Sequence, residues 1–410
     1  MHSLEESPLR KAVGKVSGGR RLKKLHAWQI SYIIGLCIIA VSFLLESVGG
    51  HSGSPIIAAA ELVGGVMLIA GSAEAFVLSV EGIAHNMSMT DYVSGIYASL
   101  ASTIPELAVL SFLILGGEYE MAWVLALATI FINTMVFATY SLFLPKDEQG
   151  NFRLPDAIMW VGSDLLTVGA VISFAVGISM ILLHTFVVPV IPGEQFFFTY
   201  DELLVFGGCL VAVFIAYLYN ITKYYGKCVP NADDATIACK TRTPINKQKV
   251  IVFLLLASIG AMLGGEALAS FANFETETVG LNFIQAALLL VVFAGTPEYI
   301  IVASSHRKDE IEIALSNAFG GIVQVFFVIF GYMLVASGLN LFLSGMTDAH
   351  HGIPIDLYSV VLVIFAFPTL WILRTKITDD AKINNLEAIA MIAVFVMMLY
   401  ILLVFGGVTI

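Results

Sequence analysis

Two glutamates, each directly preceded by a proline, interrupt two long apolar stretches of this sequence. Pro105-Glu106 and Pro297-Glu298 both lie inside runs long enough to cross a lipid bilayer. A proline removes a backbone donor and kinks a helix, and a carboxylate at the centre of a bilayer costs about 2.5–3.5 kcal/mol even on the most lenient scale. Because the chain carries both unfavourable features twice, the two pairs predict a polar binding site within a membrane.

The two pairs belong to an internal repeat with a spacing of 192 residues. Five residues recur without a gap: Glu74, Pro105, Glu106, Glu120 and Ala122 return as Glu266, Pro297, Glu298, Glu312 and Ala314. A repeat of this length in a membrane protein predicts two related halves, with the substrate site between them near the bilayer midplane.

The composition fits a membrane protein and excludes several functions. Hydrophobic residues make up 58% of the 410 residues and charged residues only 12%, against roughly 25% charged in soluble domains. The net charge of −11 has the wrong sign for a nucleic-acid binder. The four cysteines lack metal-binding spacing and are interpreted as ordinary thiols. No nucleophile–base pair, phosphate-binding loop or cofactor motif is evident, so neither an enzyme nor a resident cofactor is expected.

Eleven apolar segments have about the 20 residues that a membrane-spanning helix needs. They are residues 27–46, 56–84, 92–116, 119–145, 157–185, 201–223, 249–273, 280–304, 309–337, 356–374 and 386–407. The first follows a basic stretch but is too long for a signal peptide and lacks a cleavage site, so we expect it to remain as a helix.

The positive charges predict the orientation of these helices. All 20 lysines and arginines lie in, or at the edges of, the segments that share one side of the membrane with the N-terminus. The positive-inside rule therefore places the N-terminus in the cytoplasm and the C-terminus outside, with the plasma (inner) membrane as the expected location. Equivalent helices of the two halves are five positions apart in chain order, and because this number is odd, the halves are inverted.

The predicted fold is an all-α polytopic membrane protein with two inverted five-helix repeats and one extra N-terminal transmembrane helix. Residues 1–55 form the basic tail and the extra helix, and residues 56–223 form the first repeat. A cytoplasmic linker, 224–248, leads to the second repeat, 249–410. The linker is either a plain connector or a regulatory segment.

The membrane-spanning runs offer Glu106 and Glu298 no basic partner, because their interiors contain no lysine or arginine. Each carboxylate must therefore bind a proton or a cation, or lie in a water-filled cavity. Two carboxylates together with the carbonyls freed by Pro105 and Pro297 suit a hard divalent cation such as Ca²⁺. A pair that holds either the cation or protons, combined with alternating access, performs exchange. The competing interpretation is that each Pro-Glu pair only kinks a helix.

The stretches Ser102-Thr103-Ile104-Pro105-Glu106 and Ala294-Gly295-Thr296-Pro297-Glu298 resemble the α-repeats of the cation/calcium exchanger superfamily, which includes sodium/calcium and calcium/proton exchangers. The resemblance is to a divergent, prokaryotic-type member and covers about 56–145 and 249–337. It implies Ca²⁺ binding by the two glutamates. It also implies further metal ligands at matching positions: Ser102, Thr103, Thr129, Asn133, Asn317 and Gln324.

The second repeat departs from the sodium/calcium pattern. Ala294 and Gly295 replace a threonine and a serine, which removes oxygen ligands suited to several Na⁺ ions. The run from Gly320 to Val325, with Gln324, is similar to the G-S-x-x-Q-I pattern of calcium/proton exchangers. The sequence therefore favours H⁺ as the counter-ion, with Na⁺/Ca²⁺ exchange as the nearest alternative. Gln324 has a second interpretation, as a hydrogen bond between helices.

Four other acids within the spans are candidates for a proton or cation pathway: Glu74, Glu266, Glu81 and Asp164. The alternative for Glu74 and Glu266 is solvation at a helix end, and for Asp164 it is structural pairing. Two further function classes stay open, a cation channel and a degenerate homologue with a sensing or structural role. The expected partners are inorganic cations (Ca²⁺, H⁺ or Na⁺) and the lipid bilayer, without nucleic acid. The choice among Ca²⁺, Mn²⁺ and Mg²⁺ and the oligomeric state stay open.

Overall fold

The computed structural model describes residues 26–49, 54–154, 156–186, 197–226, 246–307, 311–348, 351–379 and 381–405. These ranges contain fourteen α-helices: α1 Ala27–Gly49, α2 Pro55–Asn86, α3 Asp91–Ser102, α4 Ile104–Leu115, α5 Tyr119–Leu142, α6 Asp156–Phe186, α7 Tyr200–Tyr225, α8 Lys247–Phe274, α9 Phe283–Ala294, α10 Thr296–Arg307, α11 Ile311–Gln324, α12 Gly331–Leu343, α13 Leu357–Asp379 and α14 Asn385–Phe405. Two π-helical turns, Glu275–Val279 and Val325–Phe330, extend α8 and join α11 to α12. Most of the predicted tail and of the predicted linker lies outside the described residues.

The structure confirms the all-α class and the eleven spans. Within the described ranges, eleven helical segments are long and apolar enough to cross a membrane, and each corresponds to one predicted segment. Two of the predicted spans, 92–116 and 280–304, are each built from two shorter helices. The predicted span 309–337 ends too early, because the π-helical turn continues the helix to Leu343.

Helices α2 and α8, the equivalent first helices of the two halves, pack directly against each other. A Cβ on Gly264 would lie 3.0 Å from the Gly65 carbonyl oxygen, so a side chain there would require the two helices to shift apart. Further along α2, the Ser79 hydroxyl reaches the carbonyl of Val250, which lies earlier in α8, at 3.5 Å. Residues later in α2 thus contact residues earlier in α8. The equivalent helices run antiparallel, as inverted repeats require.

The other contacts between the halves occur in reciprocal pairs. Helix α4 packs on α8 as its equivalent α10 packs on α2, and α5 packs on α9 as α11 packs on α3. The loops that connect the helices also pair reciprocally between the halves. Strand β1, Asn151–Arg153, pairs antiparallel with β4, Lys382–Asn384, and β2, Phe197–Phe198, pairs antiparallel with β3, Ile353–Pro354. Each small sheet thus joins one loop from each half.

Helix α5 and the continuous α11–α12 unit occupy the centre of the bundle. Most residues of α5 between Met121 and Asn133 are buried, as expected for a helix that is apolar on all sides. The buried side chains of the π-helical turn at Val325–Phe330 belong to the same core. These two central elements position the polar side chains Thr129, Asn133 and Gln324.

Helix α1 is the predicted extra helix, and it packs on the outside of α2 and α8. The Tyr32 hydroxyl donates a hydrogen bond to the Leu256 carbonyl at 2.7 Å. Trp28 contacts Phe253 edge to face, with ring centroids 5.5 Å apart. A Cβ on Gly35 would lie 2.9 Å from the Gly64 carbonyl oxygen. Helix α1 therefore adds to the bundle without entering its centre.

The close approach of α2 and α8 predicts a local sensitivity to added volume. Gly264→Ala places a methyl group 2.9 Å from the Ile69 side chain and 3.0 Å from backbone. We expect a loss of about 1–3 kcal/mol, typical of overpacking, seen as a lower melting temperature of the purified protein in detergent. Gly208→Ala in α7 adds the same methyl group where nothing lies within 4 Å, and we expect no loss. Equal melting temperatures for the two variants would contradict the packing argument.

Candidate cation-binding site

The two Pro-Glu helices are broken at equivalent positions. Helix α3 ends one residue before Thr103 and α4 begins one residue after it; Gly295 separates α9 from α10 in the same way. The carbonyl of Thr103 accepts the Glu106 amide at 3.1 Å, and the carbonyl of Gly295 accepts the Glu298 amide at 3.1 Å. The prolines cannot donate backbone hydrogen bonds, so each break leaves polar backbone atoms at mid-span. This is the discontinuous-helix geometry that the sequence predicts.

Glu106 and Glu298 each lie in the first turn of the helix that follows the break. An acidic side chain there benefits from the positive end of the helix dipole. The residues are 5% and 4% exposed, and their carboxylates interact electrostatically with each other. Glu106 Oε2 has no hydrogen-bond partner. The structure therefore brings the two glutamates of the repeat together in one buried environment.

Among the residues whose burial the structure describes, no lysine, arginine or histidine is buried. The carboxylate pair thus has no buried basic side chain to balance it. Burial of a carboxylate is costly unless a counter-charge or a proton compensates it. The arrangement is chemically suited to a divalent cation or to protons.

Asn133 reaches this environment from α5, in the first half, and meets Glu298 of the second half. A Cβ on Gly321 would lie 2.9 Å from Glu298 Oε1 and 3.0 Å from Asn133 Nδ2, so both side chains approach the same point. The amide is close enough to Glu298 to interact with it, yet neither polar atom of Asn133 has hydrogen-bond geometry with any partner. Asn133 therefore keeps a free amide oxygen beside the carboxylate.

Three candidate hydroxyl ligands are buried: Ser102, Thr103 and Thr129. Each donates its proton to a backbone carbonyl three or four residues earlier in the chain, at 2.7 Å, 2.8 Å and 2.8 Å respectively. A hydroxyl that donates in this way still has lone pairs with which to accept a hydrogen bond or to coordinate a cation.

Gln324 joins the two halves through one of its two polar atoms. Its Nε2 donates to the Ile96 carbonyl of α3 at 3.3 Å, while its Oε1 is buried without a partner. The side chain thus makes the hydrogen bond between helices and also keeps a free oxygen. The Asn317 side chain lies outside the described residues, although its backbone is part of α11.

The four candidate pathway acids lie away from this buried environment. Glu74, Glu266 and Asp164 are exposed on the surface of the bundle, and Glu81 is half-buried. Glu266 lies in electrostatic range of Glu61 on α2. The structure does not place these acids in the buried environment that Glu106 and Glu298 share.

Several polar groups near the site or buried elsewhere lie outside the predicted set. A Cβ on Gly320 would lie 2.9 Å from the Ser99 hydroxyl, one turn before Ser102. Tyr299, directly after Glu298, has a buried hydroxyl without a hydrogen-bond partner. Glu275 is 4% exposed, with an unpartnered carboxylate oxygen, in the π-helical turn after α8. Ser99 and Tyr299 are recognisable by their nearness in sequence to the repeat; Glu275 has no such signal.

The fold and this arrangement define an inverted-repeat membrane protein with two broken helices that meet at a buried acidic site. Residues 249–404 match the family model described as sodium/calcium exchanger protein. A search of curated proteins found no match. The chain is thus similar to this family over residues 249–404.

Three solved structures share the fold over 84–91% of this chain. The structure of the H⁺/Ca²⁺ exchanger CAX is 16% identical with a TM-score of 0.62, covering 91% of this chain and 89% of that one. Native YfkE is 14% identical with a TM-score of 0.58, covering 90% and 98%. The sodium-calcium exchanger NCX_Mj, soaked with 2.5 mM Na⁺ and 0.1 mM Ca²⁺, is 15% identical with a TM-score of 0.53, covering 84% and 98%.

The space beside Gly321 predicts a specific loss of cation binding. Gly321→Ala places a methyl group within 3.1 Å of both Glu298 carboxylate oxygens, and the flexible carboxylate must move while the fold persists. We expect Ca²⁺ affinity, measured by radiolabelled Ca²⁺ binding, to fall by about 10-fold or more. Gly208→Ala, in open space, serves as the control. Unchanged affinity in Gly321→Ala would show that Glu298 does not bind the cation in this position.

Proposed function

We propose that this protein is a secondary-active antiporter that exchanges Ca²⁺, or a related divalent cation, for H⁺ by alternating access. The transported ions bind at Glu106 and Glu298. One observation carries the proposal: the two glutamates of the repeat are buried together and interact electrostatically, with no buried basic side chain among the residues whose burial the structure describes. The cation is the substrate of transport, and the protein acts without a cofactor and without enzymatic chemistry.

The exchange follows from the electrostatics of the carboxylate pair. Two carboxylates in a low-dielectric interior repel each other, and one divalent cation between them neutralises both. Without the cation, protons replace it, because burial disfavours two uncompensated negative charges. Cation and protons compete for the same oxygens, so the site binds one or the other. The first-half oxygens of Ser102, Thr103, Thr129 and Asn133 supplement the carboxylates.

Alternating access uses the inverted halves. We assign the two moving units to residues 56–223 and 249–410, each contributing one broken helix to the site. Rocking of one unit against the other around a fixed central site exposes it to each side in turn. The distribution of lysine and arginine supports a cytoplasmic N-terminus and an external C-terminus in the plasma (inner) membrane. The exposed acids Glu74, Glu266, Glu81 and Asp164 are then candidates for the route by which ions approach.

The composition of the second half supports H⁺ rather than Na⁺ as the counter-ion. At the positions equivalent to Ser102, Thr103, Thr129 and Asn133, the second half has Ala294, Gly295, Gly321 and Val325. Several Na⁺ ions bound at once require more oxygen ligands than this half offers at these positions. Sodium/calcium exchange remains the alternative, because the similar solved structures include both an H⁺/Ca²⁺ exchanger and a sodium-calcium exchanger.

A flux assay separates the two counter-ions. The purified protein is reconstituted into vesicles, and radiolabelled Ca²⁺ uptake is measured with H⁺ and Na⁺ gradients imposed separately. We expect an outward H⁺ gradient to drive uptake and an outward Na⁺ gradient, with pH clamped, to have no effect. Uptake driven by Na⁺ at clamped pH would refute proton coupling. A wild-type protein that transports no cation under either gradient would support the degenerate, non-transporting alternative.

Neutralising either central glutamate tests the site itself. Glu106→Gln and Glu298→Gln keep the side-chain size but remove the charge that compensates the cation, and we expect each to lower Ca²⁺ uptake by about 100-fold, at the upper end for metal-site changes. Glu118→Gln is the matched control, because Glu118 is exposed in the loop before α5. Transport that survives in both central variants would place the site elsewhere.

Competition between the cation and protons predicts a defined pH dependence. Because the ligands must be deprotonated to bind metal, Ca²⁺ affinity should rise with pH. The dissociation constant should fall by about tenfold per pH unit for each proton displaced, while one or two protons are bound in the cation-free protein. Radiolabelled Ca²⁺ binding at a series of pH values measures the slope. An affinity independent of pH wherever the protein remains folded would contradict competition at one site.

A further inference from the structure

The two halves differ in where they carry a hydroxyl next to the helix break. The repeat aligns Thr103 with Gly295, and it aligns Leu107 with Tyr299. The second half therefore has no hydroxyl at the residue that separates the two helices. Thr296 follows directly, aligned with Ile104, and Tyr299 carries a hydroxyl four residues after Gly295, where the first half has an apolar side chain.

In the structure, the Tyr299 hydroxyl lies where a side chain on Gly295 would begin. A Cβ built on Gly295 would lie 2.6 Å from the Tyr299 hydroxyl oxygen and 3.0 Å from Cζ of the same ring. The phenol thus folds back along its helix and fills the space that a side chain on Gly295 would occupy. In the first half, the side chain of Thr103 begins at the equivalent point.

The surroundings of this hydroxyl indicate a ligand. The Tyr299 oxygen has no exposed surface and no hydrogen-bond partner in the structure. It lies within electrostatic range of both Glu298 and Glu106. Buried polar atoms are nearly always hydrogen-bonded, so an unpartnered hydroxyl beside a buried carboxylate pair is the kind of group that a coordinated cation satisfies.

We propose that Tyr299 provides the missing hydroxyl ligand of the second half, its neutral phenol oxygen coordinating the divalent cation held between Glu106 and Glu298. This inference rests on the proposed function and adds a ligand that the repeat pattern does not contain. The site then receives hydroxyl groups from both halves, from Ser102 and Thr103 in the first half and from Tyr299 in the second. Gly295 is part of the same arrangement, because any side chain there would collide with the phenol.

The first test removes only the oxygen. Tyr299→Phe keeps the aromatic ring and its packing, and we expect radiolabelled Ca²⁺ binding to the full-length purified protein to weaken about tenfold. Tyr332→Phe is the matched control. It also loses a partly buried hydroxyl, one that is hydrogen-bonded to Ser111 at 2.6 Å, and we expect its Ca²⁺ affinity to be unchanged. Melting temperatures of both variants identify any effect that comes from unfolding.

The second test moves the hydroxyl to the position that it has in the first half. Gly295→Thr combined with Tyr299→Leu copies Thr103 and Leu107 into the second half. We expect this double variant to bind Ca²⁺ more tightly than Tyr299→Leu alone, whereas Gly295→Thr alone should bind weakly because its Cβ collides with the phenol. The ratio of Ca²⁺ to Mn²⁺ affinity should also change in Tyr299→Phe, which a purely structural role would not produce.

The outcomes separate this inference from the function on which it rests. Wild-type affinity in Tyr299→Phe, with Ca²⁺ binding intact in the wild-type protein, would refute the role of Tyr299 alone. Failure of the double variant to exceed Tyr299→Leu, both being folded, would do the same. A folded wild-type protein that binds no divalent cation would refute the proposed function together with this ligand.

Discussion

The structure depends on the repulsion between two carboxylates held in a low-dielectric interior. Two unit charges 4 Å apart interact by about 1 kcal/mol in water and about 4 kcal/mol at the effective dielectric typical of proteins. Glu106 and Glu298 are almost completely buried, so water screens them little. The surrounding features compensate this cost: each glutamate lies in the first turn of a helix, and Asn133 lies beside Glu298. A bound cation or bound protons would supply the remaining compensation.

The inverted repeat explains how two such glutamates meet at all. The first helices of the two halves, α2 and α8, cross antiparallel through a glycine contact at Gly65 and Gly264. The second half of each broken helix packs on the first helix of the other half. The same helix contact is made twice, once from each half to the other. It therefore brings Glu106 and Glu298 together although they are 192 residues apart in the chain.

The parts of this arrangement that depend on local pattern were predictable from the sequence. The lengths of the apolar segments predict the eleven spans, and the proline in each Pro-Glu pair predicts a break in its helix. The remaining parts depend on tertiary packing. Gln324 donates a hydrogen bond to the Ile96 carbonyl because α11 packs against α3 at this point. The four short strands pair between loops that are distant in sequence. The identity of the site residues, the two glutamates included, stays a prediction.

The asymmetry between the halves follows from the size of the space that they share. Two inverted halves with identical bulky ligands would compete for the same volume at their interface. Here one half contributes Thr129 and Asn133, and the other has Gly321 and Val325 at the equivalent positions. The missing side chain at Gly321 leaves the room into which Asn133 and the Glu298 carboxylate both extend. The absence of polar side chains at these positions of the second half therefore accompanies their presence in the first, since the glycine of one half makes space for the candidate ligands of the other.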